Sequence, residues 1–146
     1  MSEKMELAEM LSKKRDAVRF GRTKEDFGEM MERLMKEKGM SSKTLSPASN
    51  LSDRTIRRMK GDDMYEPTRE MIIAVCVGMK LTYDESLDLI HKSAFRLRND
   101  SPIDAVYLEI LRDEGMHTVT QWNAALALMG VKILGGGGKS GLRQTD

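Results

Sequence analysis

The stretch MSSKTLSPASNLSDRTIRRMK, residues 40–60, decides how this chain is read. It reads as two short helices joined by a tight turn. Leu45, Ala48, Leu51, Ile56 and Met59 are its apolar positions, at helical spacing on either side of a break at Asn50. Asparagine tolerates left-handed backbone, so it can turn the chain sharply there. Ser52 follows and is placed to cap the second helix through its hydroxyl. That helix, Asp53 to Lys60, carries Arg54, Arg57, Arg58 and Lys60 against a single Asp53. A short helix with a dense cationic face beside a tight turn is the form that enters a DNA major groove.

The flanks support a helical domain. Thr23 with Asp26 resembles a capping box, and the helix that follows places Phe27, Met30, Met31, Leu34 and Met35 on one face before Gly39 ends it. After Lys60 the loop GDDMYEP is rich in turn formers, and Pro67 closes it. Thr68 caps a helix from Arg69 to Met79 that turns Met71, Ile72, Val75, Cys76 and Met79 inward. Ile73, Ala74 and Val77 make it apolar nearly all round, which predicts a central position. Thr82 and Glu85 open a further helix with Leu87, Ile90 and Ala94 inward.

These parts, in this order, resemble the Cro/repressor-type (XRE-like, lambda-repressor-like) helix-turn-helix family. The match runs through Phe27 and Leu34, Gly39, Ser41, Leu45, Asn50, Leu51-Ser52, Thr55-Ile56, Arg58-Met59 and Pro67-Thr68, and covers Lys24 to Ala94. The resemblance implies an all-α fold with a five-helix domain and double-stranded DNA as partner. Carried over position by position, it puts Asp53, Arg54 and Arg58 at base edges. Ser41, Ser42, Lys43, Ser52 and Thr55 match positions that hold phosphates, and Arg57 and Lys60 lean toward the backbone. Asp53 has a second reading, as a charge that stabilises the helix start. The cations have one too, as a solvated face paired with Asp62 or Asp63. Ser46 stands where the family usually has alanine. Pro47 falls in the second turn of a helix starting at Ser42, which predicts that this helix is kinked or starts late.

The family usually acts as a two-fold dimer spanning two half-sites, so a homodimer is expected, joined through the C-terminal helices or the first helix. A DNA-binding regulator, in particular a repressor, is the function this implies. The competing class is a protein-interaction module such as an antitoxin, immunity factor or adaptor, in which the same fold meets protein instead of DNA.

The chain divides into a charged N-terminal helix (1–22), the helix-turn-helix domain (23–97), a C-terminal helical extension (98–134) and a flexible tail (135–146). The first helix, Glu3 to about Arg19, has a thin stripe of Leu7, Leu11 and Val18 and a basic cluster, Lys13-Lys14-Arg15, Arg19 and Arg22. It reads as a solvated helix packed loosely on the domain. Ser101-Pro102 starts a C-terminal helix with Ile103, Val106, Tyr107, Ile110 and Leu111 on one face. Thr118 and Gln121 start another, with Val119, Trp122, Ala125, Leu126 and Met129. The tail GGGGKSGLRQTD contains Gly-Lys-Ser, but Ile133 stands where a phosphate loop needs its first glycine.

Composition narrows the remaining classes. The net charge of the 146 residues is +1, so any attraction to DNA has to be local. Cys76 is the single cysteine, which removes an internal disulfide and any cysteine-pair metal site. His91 and His117 lie far apart, no nucleophile and base pairing stands out, and no cofactor, metal or enzymatic activity is expected. Without a signal peptide or an eighteen-residue apolar span, the sequence points to the cytoplasm and away from a membrane.

Overall fold

The computed structural model describes residues 3–16 and 25–136, with side chains for 3–11 and 25–136. These residues form eight helices and no strand: α1 Glu3–Asp16, α2 Phe27–Glu37, α3 Ser42–Ser49, α4 Asp53–Gly61, α5 Arg69–Gly78, α6 Tyr83–Lys92, α7 Pro102–Arg112 and α8 Val119–Met129. The architecture is all-α, with α2 to α6 as the five-helix domain and α7–α8 as the C-terminal pair.

Helix α5 is the axis of the packing. Seven consecutive side chains, Met71 to Val77, are buried, and α3, α6, α7 and α8 all pack against it. Continuous burial matches its continuous apolarity, since a helix without a polar face can only be stable inside. Gly78 lets α3 lie close: a Cβ there would stand 3.0 Å from Leu45 Cδ1 and 3.1 Å from the Ala48 carbonyl oxygen. Cys76 lies within this helix, and burial pushes its thiol up to about 12. It is a small core residue and not a nucleophile.

Every helix from α2 to α8 starts on a side-chain cap: Asp26, Ser41, Ser52, Thr68, Thr82, Ser101 and Thr118. Each accepts from the backbone N–H three residues on, satisfying a donor the helix cannot. The start of α2 corrects the sequence reading. Asp26, not Thr23, is the cap, and it exchanges bonds with Glu29, at 2.8 Å and 3.0 Å. Glutamate reaches back to the cap's own N–H, which the expected Thr23–Asp26 pairing left to a shorter side chain. Thr23 itself lies outside the described residues.

Of the two expectations for the first motif helix, a kink or a late start, the late start is corrected. Helix α3 begins at Ser42, fixed by the reciprocal Ser41–Thr44 box, and runs through Pro47 to Ser49. Pro47 is exposed, as is Lys43, whose carbonyl loses its helical donor to the proline ring, so water can serve that carbonyl.

Three faces differ from the expected ones. In α6 the buried residues are Ser86, Leu89 and Ile90, while Leu87 is half-buried and Ala94 lies exposed beyond the helix end. In α7 Asp104 and Leu108 are buried, and Ile103 is exposed. The reason is ionic: Arg69 on α5 bonds Asp104 at 2.8 Å and turns that face inward. In α8 only Val119 and Leu126 are buried; Ala125 and Met129 are exposed and Trp122 is half-buried. Helix α8 packs on α5 through its buried residues and otherwise faces outward, so only a narrow stripe is covered.

The C-terminal pair is part of the same core. Tyr107 of α7 is fully buried, and its one hydroxyl proton is shared between the Lys132 carbonyl (2.8 Å) and Glu70 Oε2 (3.1 Å). Burial first, and the Glu70 charge second, push this phenol above its ordinary range. Helix α1 extends to Asp16; the rest of the expected N-terminal helix, to Arg19, lies outside the described residues. Met5, Leu7, Met10 and Leu11 of α1 are all at least half exposed.

Candidate nucleic-acid interface

Two helices and one turn build the surface. Ile56 and Met59 anchor α4 from below, each almost wholly buried. Burying such a side chain stabilises by roughly 1.5–3 kcal/mol, so these two fix which face of α4 looks out. Asn50 makes the turn at φ 60°, ψ 33°, in the left-handed region the sequence predicted for it. Ser46 fits the close approach of α3 and donates its hydroxyl to the Leu51 carbonyl at 2.6 Å, locking the turn. An alanine there would leave that carbonyl without this donor.

The outer face of α4 is cationic. Arg54 is exposed and has no partner among the described residues. Arg57 is 61% exposed and pairs with Asp53 at 3.1 Å. Arg58 is 48% exposed, approaches Asp62 at 3.8 Å, and holds its guanidinium 4.4 Å above the Tyr65 ring. None of these three is covered by the described helices. Lys60 is half-buried, closer to the end of the helix.

Asp53 is placed differently from Arg54 and Arg58. One carboxylate oxygen meets Arg57, and the other is shielded from solvent without a hydrogen-bond partner. Its side chain therefore lies along its own helix, in the geometry of a helix-start charge. The residues matched to phosphate positions cluster at two helix starts. Ser41 accepts from Thr44 N–H (3.2 Å), Ser52 accepts from Thr55 N–H (3.0 Å), and the Ser52 hydroxyl donates to Thr55 Oγ1 (2.8 Å). Ser42 is half-exposed and Lys43 exposed beside them. Capping thus occupies part of each hydroxyl's capacity, while the first N–H groups of α3 and α4 remain without helical acceptors.

Sequence reasoning missed two supports of this surface. Gly28 on α2 packs directly under α4, where a Cβ would collide with the Lys60 carbonyl. The second is the segment after α8. Leu134 is fully buried, Gly135 N–H donates to the Glu70 carbonyl (3.2 Å) and Gly136 N–H to the Asn50 carbonyl (2.9 Å). Gly135 and Gly136, expected to begin a flexible tail, are held against the turn of the motif; 137–146 lie outside the described residues. The only local signal was glycine itself, at φ +72° and +67°. Among the described residues, no three His, Cys, Asp or Glu side chains group as metal ligands, and no helix is long and apolar enough to cross a membrane.

A three-residue break between two capped short helices, with a cationic outer face on the second, defines a helix-turn-helix DNA-binding module. Residues 30–90 match the family model of the Cro/C1-type HTH DNA-binding domain. A comparison with curated proteins found no match, and one with solved structures found none either.

Proposed function

We propose that this protein is a sequence-specific double-stranded DNA-binding transcriptional regulator, a cytoplasmic repressor of bacterial, phage or mobile-element type. The observation that carries the reading is the outward array of Arg54, Arg57 and Arg58 on a helix pinned from below by Ile56 and Met59. Arg54 and Arg58 each suit the O6 and N7 acceptors of guanine, and a good bidentate pair gives about 1–3 kcal/mol of discrimination. Ser41, Ser42, Lys43, Ser52, Thr55, Arg57 and Lys60 set register on phosphates without reading sequence. Asp53 orients Arg57, or accepts from a cytosine amino group after leaving it.

One copy reads a half-site too short for useful selectivity, so the working form is a homodimer. Exposed apolar side chains after the motif, Leu128 (90% exposed), Met129 and Ile133, support a two-fold contact there. Two observations favour the alternative, an interaction module: the net charge of +1 and the engagement of Arg57 and Arg58 by aspartates.

Selection of bound fragments from random duplex DNA, followed by binding at several salt concentrations, separates the two. A regulator enriches a common, two-fold-related sequence and loses affinity with salt at a slope of about −0.9 per phosphate neutralised. Replacing Arg54 and Arg58 together by alanine abolishes the specific component while the melting temperature stays nearly constant. No enrichment and a flat salt response would leave the interaction module standing.

A further inference from the structure

A cavity of 510 Å³ lies behind α4, between the start of α2, the α4–α5 loop and the end of α6. We propose that it is a binding site for a small aromatic ammonium compound, and that its occupancy is linked to the freedom of Arg58. The linkage to regulation rests on the DNA-reading function proposed above; the binding site itself does not.

Three rings, Phe27, Tyr65 and Phe95, line the cavity from three different elements. Each is only partly buried, so each offers ring surface to an occupant. Aromatic walls hold flat apolar bodies and attract cations through their ring faces. The charge of the wall selects the sign. Asp26, Asp62, Asp63 and Glu66 line it against Lys60 and Lys92, an excess of two negative charges. Asp26 is committed to the α2 cap and Asp62 to the Met64 N–H, whereas Asp63 and Glu66 are exposed with no partner among the described residues. Two helices, α4 and α6, end at the cavity and two, α2 and α5, start there, so the helix ends balance and the side chains set the sign.

The site shares two groups with the candidate DNA surface. The Tyr65 ring that lines the cavity also carries the Arg58 guanidinium at 4.4 Å, and the Asp62 carboxylate that lines it stands 3.8 Å from Arg58 Nε. Arg58 has to leave both to reach a base. A bound cation takes over the charge of Asp62 and part of the attraction of the ring, so Arg58 is released. Binding of the cation and of DNA then favour each other, by the same factor in both directions.

The experiment titrates 2-phenylethylamine hydrochloride, and separately phenylacetate, into the full chain and follows its amide and Arg58 Nε–Hε resonances. Phenylethylammonium is expected to shift Phe27, Asp63, Tyr65, Glu66 and Phe95, with phenylacetate weaker by roughly fivefold or more. The surface variant Asp63→Asn/Glu66→Gln, which removes no core contact, should weaken the ammonium by a similar factor. Saturation should also move the Arg58 Nε–Hε signal and tighten binding to a selected DNA site by roughly fivefold or more. Equal affinity for the two compounds, an unaffected double variant or a stationary Arg58 signal each overturns the proposal. Absence of any DNA binding, with these three results intact, overturns the proposed function and not the site.

Discussion

The side-chain amide of Asn50, in the turn of the helix-turn-helix, donates to the carbonyl of Leu134 at 3.2 Å across 84 residues of sequence. Asn123 of α8 donates to the same carbonyl at 3.0 Å and accepts from Leu134 N–H at 2.7 Å. The end of the described chain is therefore a strap that ties the C-terminal pair to the one residue on which the recognition turn depends.

Asn50 has two separable jobs. Asn50→Gly keeps the left-handed turn and loses only the amide, so it should cost about 1 kcal/mol of unfolding free energy. Asn50→Val also forces a β-branched residue into φ 60° and should cost a further 1–2 kcal/mol or so. Urea unfolding of the two variants checks the order, and a glycine variant weaker than the valine one would contradict it.

Gly28→Ala should act on α4 from a distance. The added methyl would press on the backbone carbonyls of Lys60 and Met59, and backbone yields less than a flexible side chain. A loss of about 1–3 kcal/mol is expected, together with weaker DNA binding in material that remains folded. Unchanged stability would mean that α2 and α4 can separate freely.

Tyr107→Phe removes the shared hydroxyl proton from a buried network and leaves the Lys132 carbonyl without its donor. The expected loss is about 1–3 kcal/mol, and the near-ultraviolet signal of Trp122 should report any loosening of α8. An unfolding midpoint equal to the wild type would show the hydroxyl to be dispensable.

Glu85 gives the fold a defined response to acid. The Thr82 N–H bond, and Lys38 at 3.2 Å, hold its carboxyl below the ordinary value of 4.5. Its charge thus adds stability above about pH 4.5, and that contribution fades as the pH falls through the lower folded value. Glu85→Gln keeps the cap but not the charge. The gap in unfolding free energy between wild type and this variant should close below pH 4.5 and stay constant between pH 6 and 7. A gap independent of pH down to 3 would rule the mechanism out.

Much of this protein was settled by neighbours in sequence. The caps, the left-handed Asn50, the apolar run of α5 and the spacing of Ile56 and Met59 all act within about four residues, the reach of a helical turn. They fix the helices, the order of the motif and the outward direction of Arg54 and Arg58. Only the tertiary structure decided what depends on distant partners. Asp104 is inside α7 because Arg69 waits for it 35 residues earlier. Leu134 and the glycines after it are fixed because Asn50, Glu70 and Asn123 converge there. The resting place of Arg58, over Tyr65 and a cavity, follows from how α2, α4 and α6 meet. Such pairings leave no periodic trace in sequence, since their geometry exists only once the core has closed.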